Sequence, residues 1–256
     1  MKVNLYHLGL ENNMNILISN DDGYDKEGLT ILKKVLSKYG DVYVSAPSTE
    51  KSGSSISLTF RDIIPYSVID NKTIKVDGTP GDSMALGLNY FENIKFDLCV
   101  SGINKGLNEG KDALFSGTVG AGIVSSLSGI KTICLSGDFH ESNYEKRAEY
   151  ILKYIFDNKL LDVAPFLNVN FPKSHYSYKG KGIRVGRIYN IPIEYTHLVD
   201  NGDKVFSTIK RNGKKSIYPI DSDMYYSDNG YYSITPFKAS FEDESKIDLL
   251  KKIIEK

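Results

Sequence analysis

Two adjacent carboxylates follow the first apolar run of the chain. Ile16–Ile18 leads directly into the segment SNDDG (19–23), which contains Asp21 and Asp22. A polar turn is one interpretation, because Asn, Asp and Gly are residues that turns prefer. The position favours a site instead, because ligands of open α/β sheets bind beyond the carboxyl ends of the strands. Since neighbouring carboxylates repel each other unless a cation lies between them, the pair predicts a divalent metal.

Two more polar clusters follow later apolar runs, PSTEKSGSS (47–55) and SGINKGLN (101–108). Each of them alone is consistent with an ordinary loop or turn. If the runs are neighbouring parallel strands, all the clusters project from one sheet edge, where their carboxylate, hydroxyl and amide oxygens can converge. Such an all-oxygen set suits Mg²⁺ or Mn²⁺ and disfavours zinc. The histidines, at positions 7, 140, 175 and 197, form no metal-binding pair and suggest no triad.

The small-residue segment SGTVGAG (116–122) indicates a different chemistry. Its residues let backbone amides approach an anion, and a helix that begins there would add a favourable dipole. Plain helix packing is an alternative interpretation. A dinucleotide-binding turn is another, but that motif directly follows a buried strand, whereas KDA (111–113) precedes this one. We expect a phosphate-binding turn at the start of a helix.

The elements that must position these groups follow from the hydrophobic pattern. Short apolar runs alternate with helical patterns, which is typical of a parallel sheet covered by helices on both faces. The predicted strands are 15–19, 42–46, 97–101, 132–136 and 166–170, with the more polar 73–77 as an edge strand. Leucines at 29, 32 and 36 predict a helix with Gly40 at its C-cap. Thr79 and Pro80 predict the start of another, and two more are predicted over 144–155 and 247–254.

The pattern changes after Gly180. Asn-Gly pairs at 201–202, 212–213 and 229–230 predict hairpins, so we expect a β-rich arm over residues 181–235. The chain is then predicted to return to the sheet through 231–237. We expect one α/β domain over residues 14–256. Residues 1–13 precede a second methionine, Met14, and are predicted to be an N-terminal extension outside the fold.

Composition excludes several classes of protein. Of the 256 residues, 41% are hydrophobic and 25% are charged, which is ordinary for a globular chain. Lys plus Arg and Asp plus Glu are both 32, and the resulting zero net charge argues against a nucleic-acid or anionic-membrane binder. Cys99 and Cys134 lie in apolar runs and are predicted to be buried free thiols, as in a reducing cytoplasm. The uncharged stretch 113–130 is too rich in Gly, Ser and Thr for a membrane span, and no signal peptide is recognised, so we expect a cytoplasmic protein.

The combination of motifs resembles the SurE family of stationary-phase survival proteins. The matching stretches share the family's order and spacing and cover nearly the whole chain from Met14 onward, which makes the resemblance specific. They are ILISNDDG (16–23), VSAPSTEKSGSSISLT (44–59), VDGTPGDSMALGL (76–88), VSGINKGLN (100–108), SGTVGAG (116–122), LNVNFP (167–172) and GYYSITPF (230–237).

The resemblance implies a Rossmann-like fold and a metal-dependent 5′-nucleotidase that forms homodimers or homotetramers through a swapped C-terminal β arm. Its substrates would be nucleoside 5′-monophosphates, with 3′-nucleotides and polyphosphate as further ones. One Mg²⁺ or Mn²⁺ per subunit would be bound by Asp21, Asp22, Ser52 and Asn104, and the two aspartates would be catalytic. By the same resemblance, the substrate phosphate would face a set of binding residues formed by Asn20, Ser116, Gly117 and Thr118.

The chain departs from the family pattern at two places. Lys26-Glu27 stands where the family usually has Ala-Pro, and residues 48–52 read STEKS where it has DRNRS. Lys51 is the remaining cation of that segment, and lysine cannot hold a phosphate in the bidentate way of arginine. The predicted metal ligands are intact, so the departures bear on substrate preference.

Competing mechanisms and classes remain open at the level of sequence. A water molecule oriented by an aspartate is the expected nucleophile, and a covalent aspartyl-phosphate is the alternative. A haloacid-dehalogenase-type phosphatase would need Asp-x-Asp after its first strand, whereas these acids are adjacent. A nucleotide-binding module that binds metal without turnover is the non-enzyme alternative. We expect Gly117→Val to cause a large loss of activity towards AMP with Mn²⁺ affinity changed little, because the proposed metal ligands lie on other loops. Asn104→Ala should instead weaken Mn²⁺ binding first.

Overall fold

The computed structural model describes residues 14–138, 140, 143–189, 195–200, 203–208, 217–240 and 244–254. The expected extension over residues 1–13 and the Asn-Gly pair at 212–213 lie outside the described residues. The strands are β1 (Met14–Ser19), β2 (Gly40–Pro47), β3 (Tyr66–Asp70), β4 (Thr73–Val76), β5 (Leu98–Lys105), β6 (Lys131–Gly137), β7 (Phe166–Asn170), β8 (Ile183–Val185), β9 (Tyr195–Asp200), β10 (Asp203–Thr208) and β11 (Tyr232–Pro236). The helices are α1 (Glu27–Leu36), α2 (Pro80–Tyr90), α3 (Asp112–Phe115), α4 (Gly117–Leu127), α5 (Tyr144–Asp157), α6 (Leu160–Val163), α7 (Asp223–Asp228) and α8 (Glu244–Ile254).

A mostly parallel sheet of nine strands forms the centre of the protein, in the order β3-β4-β2-β1-β5-β6-β7-β11-β8. Only β3 with β4 and β7 with β11 pair antiparallel within it. One apolar cluster joins the sheet to α1 and α5, and the others join it to α2 and α4. The prediction of an α/β fold with helices on both faces is therefore confirmed.

The predicted core strands are confirmed, with β1 and β5 buried in the middle of the sheet. The capping prediction at Thr79 is confirmed as well, because its hydroxyl accepts a hydrogen bond from the Asp82 amide, 3.0 Å away, while the Asp82 carboxylate accepts one from the Thr79 amide. Both cysteines are buried and free. No described helix is long and apolar enough to cross a membrane.

Three local predictions were wrong. Gly40 does not cap α1, which ends at Leu36 with Ser37 as its C-cap, and begins β2 instead. A Cβ on Gly40 would lie 2.0 Å from the Met14 carbonyl oxygen. β4 is not at the sheet edge, because the unpredicted strand β3 covers it. Asn229-Gly230 forms no hairpin, because Asn229 caps the end of α7 and Gly230 leaves the helix with a φ of +92°.

The region predicted as one arm divides between two sheets. β8 and β11 belong to the central sheet, so the predicted return of the chain is confirmed. β9 and β10 form a separate antiparallel pair in which Asp200 lies opposite Asp203. The Asn201-Gly202 pair, where a hairpin was predicted, lies outside the described residues. Only this two-stranded ribbon is separate from the central sheet among the described strands.

Candidate active site

The site lies where the order of the strands reverses. From β1 the chain adds β2 and β4 on one side, and then β5, β6 and β7 on the other. The loops after β1 and β5 therefore leave in opposite directions and open a crevice beyond the carboxyl ends of these strands. Asp21 and Asp22 directly follow β1, and Asn104 is the penultimate residue of β5. The fold thus brings together groups that are more than 80 residues apart in sequence.

Asn20 supports the loop that carries the aspartates. Its side-chain amide donates a hydrogen bond to the Gly23 carbonyl at 2.8 Å, and its Oδ1 accepts one from the Gly23 amide at 3.2 Å. Gly23 has a φ of +127°, which side-chain-bearing residues rarely adopt. We expected Asn20 to face the phosphate. The side chain is fully buried and turned back onto its own loop, so its observed role is to shape the turn.

Asp21 lies at the N-terminal end of α4, where it is 3% exposed. Its Oδ1 accepts a hydrogen bond from the Thr118 hydroxyl at 2.5 Å, and the Thr118 backbone amide also bonds the carboxylate. Burial raises the pKa of Asp21, and the bonds from Thr118 oppose that rise. We expected Thr118 to face the phosphate, but both of its donors point at Asp21. Thr118 therefore positions a carboxylate.

Asp22 is half-buried beside the end of β5 and accepts a hydrogen bond from the Lys105 backbone amide. Burial and, next to it, the negative charge of Asp21 raise the pKa of Asp22 to about 6, while the Lys105 amide lowers it. The charge of Asp21 therefore raises the cost of ionising Asp22. A cation placed between the two carboxylates would offset that cost.

Gly117 and Ser54 complete the packing around Asp21. A Cβ on Gly117 would lie 2.7 Å from Ser54 Oγ and 2.8 Å from Asp21 Cβ, so only glycine fits here. Ser54 Oγ is buried and has no hydrogen-bond partner among the described residues. Ser116 caps α4, since its hydroxyl accepts a hydrogen bond from the Val119 amide at 3.2 Å. The Ser116 hydroxyl is thus engaged with the helix, which leaves the Gly117 amide as the donor that suits a phosphate.

The loop after β2 is joined to the aspartates through its backbone. The Lys51 amide donates a hydrogen bond to the Asp21 carbonyl at 2.7 Å. Ser52, a predicted metal ligand, is exposed, and its hydroxyl donates to Glu50 Oε1 at 2.8 Å. The Glu50 carboxylate adds to the upward pKa shifts of Asp21 and Asp22, so a third negative charge lies near the site. Neither Glu50 nor Ser54 was predicted as a site residue, although both lie in the polar segment PSTEKSGSS (47–55).

Asn104, the remaining predicted ligand, is half-buried near the end of β5. Its Nδ2 donates a hydrogen bond to the Gly106 carbonyl at 2.8 Å, which fixes the orientation of the side-chain amide. Its Oδ1 is the atom that could bind a metal. The next residue, Lys105, provides the amide that bonds Asp22, so Asn104 and Asp22 are held on adjoining segments.

The donor set fits a hard divalent cation. It offers two carboxylates, an amide oxygen and hydroxyl oxygens, with the unpartnered Ser54 Oγ close to Asp21. No group of three or more His, Cys, Asp or Glu residues that could hold a metal occurs in the described part of the chain. The fold and the site define a class of protein, the doubly wound α/β domains. Here the paired carboxylates lie at the switch point, which is the place where the order of the strands reverses.

Comparison with known proteins shows the family. Residues 16–193 match the model of the family described as survival protein SurE, and the chain belongs to that family. It is 34% identical over 242 residues to the 5′-nucleotidase SurE of Ruthia magnifica, covering 93% of this chain and 98% of that one. It is 36% identical over 257 residues to the 5′-nucleotidase SurE of Clostridium beijerinckii, covering 95% and 100%. The crystal structure of SurE from Aquifex aeolicus superposes with a TM-score of 0.77 at 30% identity, covering 93% and 99%.

Proposed function

We propose that this chain is a metal-dependent 5′-nucleotidase, which hydrolyses nucleoside 5′-monophosphates to nucleoside and phosphate. The observation that carries the proposal is the carboxylate pair at the switch point, with Asp21 buried at the N-terminus of α4 and Asp22 half-buried beside it. Relatives that cover almost the same length are named 5′-nucleotidases. 3′-Nucleotides and polyphosphate are further proposed substrates.

The proposed metal ligands are Asp21, Asp22, Ser52 and Asn104. A bound Mg²⁺ or Mn²⁺, one per subunit, would supply positive charge that offsets the carboxylates and polarises a phosphoryl oxygen. Ser52 must release its hydrogen bond to Glu50, or share it, in order to offer its oxygen to the metal. Ser54 Oγ, which already lies beside Gly117, is a second hydroxyl available to the same site.

The chain's own groups would perform the rest of the reaction. The Gly117 amide, in the first turn of α4, would hold a phosphoryl oxygen as charge redistributes. Asp21, fixed by Thr118, would be the rigid carboxylate of the pair. Asp22 is the less buried of the two and would orient the attacking water through its carboxylate. Attack by an aspartate to form an aspartyl-phosphate is the alternative route, and trapping of a phosphorylated protein would distinguish it.

The test is phosphate release from AMP in the presence of Mn²⁺, compared between the parent protein and Asp22→Asn. We expect Asp22→Asn to lower kcat by on the order of 100-fold or more, because it removes a negative charge needed at the metal. Asp25→Asn is the matched control: the same change on an exposed residue of the same loop should leave kcat unchanged. Absence of phosphate release by the parent protein would refute the proposed activity.

We also propose that the protein assembles as a homodimer or homotetramer. The β9–β10 ribbon supports this, because an isolated two-stranded sheet is marginally stable in water without a further packing partner. Light scattering at micromolar concentration should give a mass of two or four chains. A mass near the 28.6 kDa of one chain would contradict the proposal.

A further inference from the structure

The proposed metal ligand Asn104 follows an irregularity in β5. Where β5 pairs with β6, Ser101 lies opposite Cys134. Asn104, three residues later, lies opposite Ser136, which is only two residues after Cys134. β5 therefore has one extra residue at this point, a β-bulge, and bulges redirect the side chains beside them. The direction of the Asn104 side chain consequently depends on what holds the chain after the bulge.

A set of buried hydrogen bonds holds that part of the chain at Asn108, in the loop after β5. Asn170, the last residue of β7, binds the Asn108 backbone twice: its Oδ1 accepts a hydrogen bond from the amide at 2.8 Å, and its Nδ2 donates one to the carbonyl at 3.0 Å. Asn168 Nδ2 donates another to the same carbonyl at 2.8 Å. The Asn108 side chain donates from its Nδ2 to Ser136 Oγ in β6, at 2.9 Å. These four residues, the Asn108 cluster, are all buried, where breaking a hydrogen bond leaves a costly unpaired group.

Gly106 connects the Asn108 cluster to Asn104. Its carbonyl accepts the hydrogen bond from Asn104 Nδ2 at 2.8 Å, and its amide donates one to the Gly137 carbonyl at 2.9 Å, at the end of β6. Gly106 is two residues from both Asn104 and Asn108, so a shift of Asn108 away from β6 and β7 would move it as well. The side-chain amide of Asn104 would turn with it, and the Oδ1 of that amide is the atom proposed to bind the metal.

The alternation of residues in LNVNFP (167–172) explains why asparagines occupy this place. Leu167, Val169 and Phe171 belong to the apolar cluster that joins the sheet to α1 and α5. Successive side chains of a strand point to opposite faces. Asn168 and Asn170 therefore lie on the other face of β7, where their amides reach the loop after β5.

We propose that Asn170 is a positioning residue, which holds the loop after β5 through Asn108 so that Asn104 faces the metal. The inference rests on the proposed metal-dependent function and adds to its four ligands a residue that acts through one of them. Loss of a group that orients a metal ligand typically lowers metal affinity or activity by about 10–100-fold. Asn170 should therefore matter for metal binding although it is not itself a ligand.

The test is calorimetric titration of the full-length protein with Mn²⁺. Asn170→Leu replaces the amide with an apolar group of similar shape and removes both hydrogen bonds to the Asn108 backbone, so Mn²⁺ affinity should fall about tenfold. In the Asn104→Ala variant, the same substitution should change Mn²⁺ affinity by less than about twofold, because the ligand through which it acts is absent. Asn15→Leu is the control: it removes a side-chain hydrogen bond at the end of β1 farthest from Asp21 and should leave Mn²⁺ affinity unchanged.

Ser136→Ala gives a milder test if thermal unfolding shows that Asn170→Leu is not folded. It removes one hydrogen bond to the Asn108 side chain, so Mn²⁺ affinity should fall about threefold in the parent and stay unchanged in Asn104→Ala. Unchanged affinity in the parent background, or an equal loss in both backgrounds, would overturn the positioning role. If the parent binds Mn²⁺ but releases no phosphate from AMP, the proposed activity fails, and the titrations still decide the role of Asn170. A parent that binds no Mn²⁺ at millimolar concentration would overturn that role.

Discussion

At the scale of single residues, the site is organised around a buried carboxylate. Asp21 is held by the hydroxyl and amide of Thr118, and the N-terminus of α4 favours its negative charge. We expected the N-terminal end of α4 to bind phosphate directly. In the structure, the same end of the helix also binds the Asp21 carboxylate. This arrangement fixes one proposed metal ligand before a metal or substrate binds, which would reduce the reorganisation needed for catalysis.

Thr118→Val tests this positioning role. The substitution preserves the volume of a fully buried side chain and removes the 2.5 Å hydrogen bond to Asp21, so we expect kcat for AMP to fall about tenfold and Mn²⁺ affinity to weaken. Thr118→Ser should retain most of both, because the hydroxyl can still reach the carboxylate. If Thr118→Val leaves Mn²⁺ affinity unchanged while KM for AMP rises, Thr118 contacts the phosphate instead.

The sequence indicated the acids of this site but not their partners. Asp21 and Asp22 could be identified because they directly follow a buried strand. The bond between Thr118 and Asp21 joins residues 97 positions apart, and no local pattern encodes such a contact. The free hydroxyl of Ser54 was equally hidden, because a serine-rich loop does not reveal which side chain turns inward.

At the scale of elements, Gly117 sets the distance between α4 and the aspartate loop. We expected Gly117→Val to cause a large loss of activity towards AMP with Mn²⁺ affinity changed little. The structure changes that expectation, because a Cβ would lie 2.8 Å from Asp21 Cβ and would displace this proposed metal ligand. Gly117→Ala should therefore reduce both kcat for AMP and Mn²⁺ affinity. Asn104→Ala should weaken Mn²⁺ binding and leave Asp21 in place. Calorimetric Mn²⁺ titrations of the two variants provide the check, and normal metal affinity in Gly117→Ala would contradict this packing argument.

Some elements of the fold could be predicted from local patterns in the sequence, and others could not. Buried parallel strands were found because their apolar runs are continuous, and α2 because its cap is local. β3 was missed because all five of its residues are exposed, so it has no apolar face to detect. Gly40 was wrongly predicted to end a helix. The actual reason for a glycine there is the close approach of Met14 on the neighbouring strand β1, and a local sequence pattern does not reveal such a tertiary contact.

At the scale of the whole molecule, a buried acid joins the loop after β5 to α7. Glu109 is 4% exposed and accepts a hydrogen bond from the Ser227 hydroxyl at 2.5 Å. Burial raises the pKa of Glu109 to about 7, with contributions from Asp223 and Asp228, while Ser227 and Lys173 lower it. Because the ordinary value is 4.5, the folded state binds more protons than the unfolded state between these values. Stability should therefore decrease as the pH rises from about 4.5 to about 7.

Glu109→Gln removes this titration. We expect its Tm to exceed that of the parent by about 3–6 °C at pH 8 and to match it at about pH 3, where the parent's acid is protonated in both states. Thermal unfolding at both pH values provides the measurement. Glu92→Gln, at an exposed position, is the control and should leave Tm unchanged at either pH. An equal Tm for Glu109→Gln and the parent at pH 8 would show that Glu109 does not carry this pH dependence.

Phosphate release from AMP by the parent protein, measured with and without a divalent cation, shows whether the paired carboxylates work through a metal. We predict that EDTA abolishes release, that Mn²⁺ or Mg²⁺ in excess of the chelator restores it, and that Asp22→Asn is not restored at the same metal concentration. These results would follow from a carboxylate pair that works only with a divalent cation between its members. Undiminished phosphate release in excess EDTA would contradict the account.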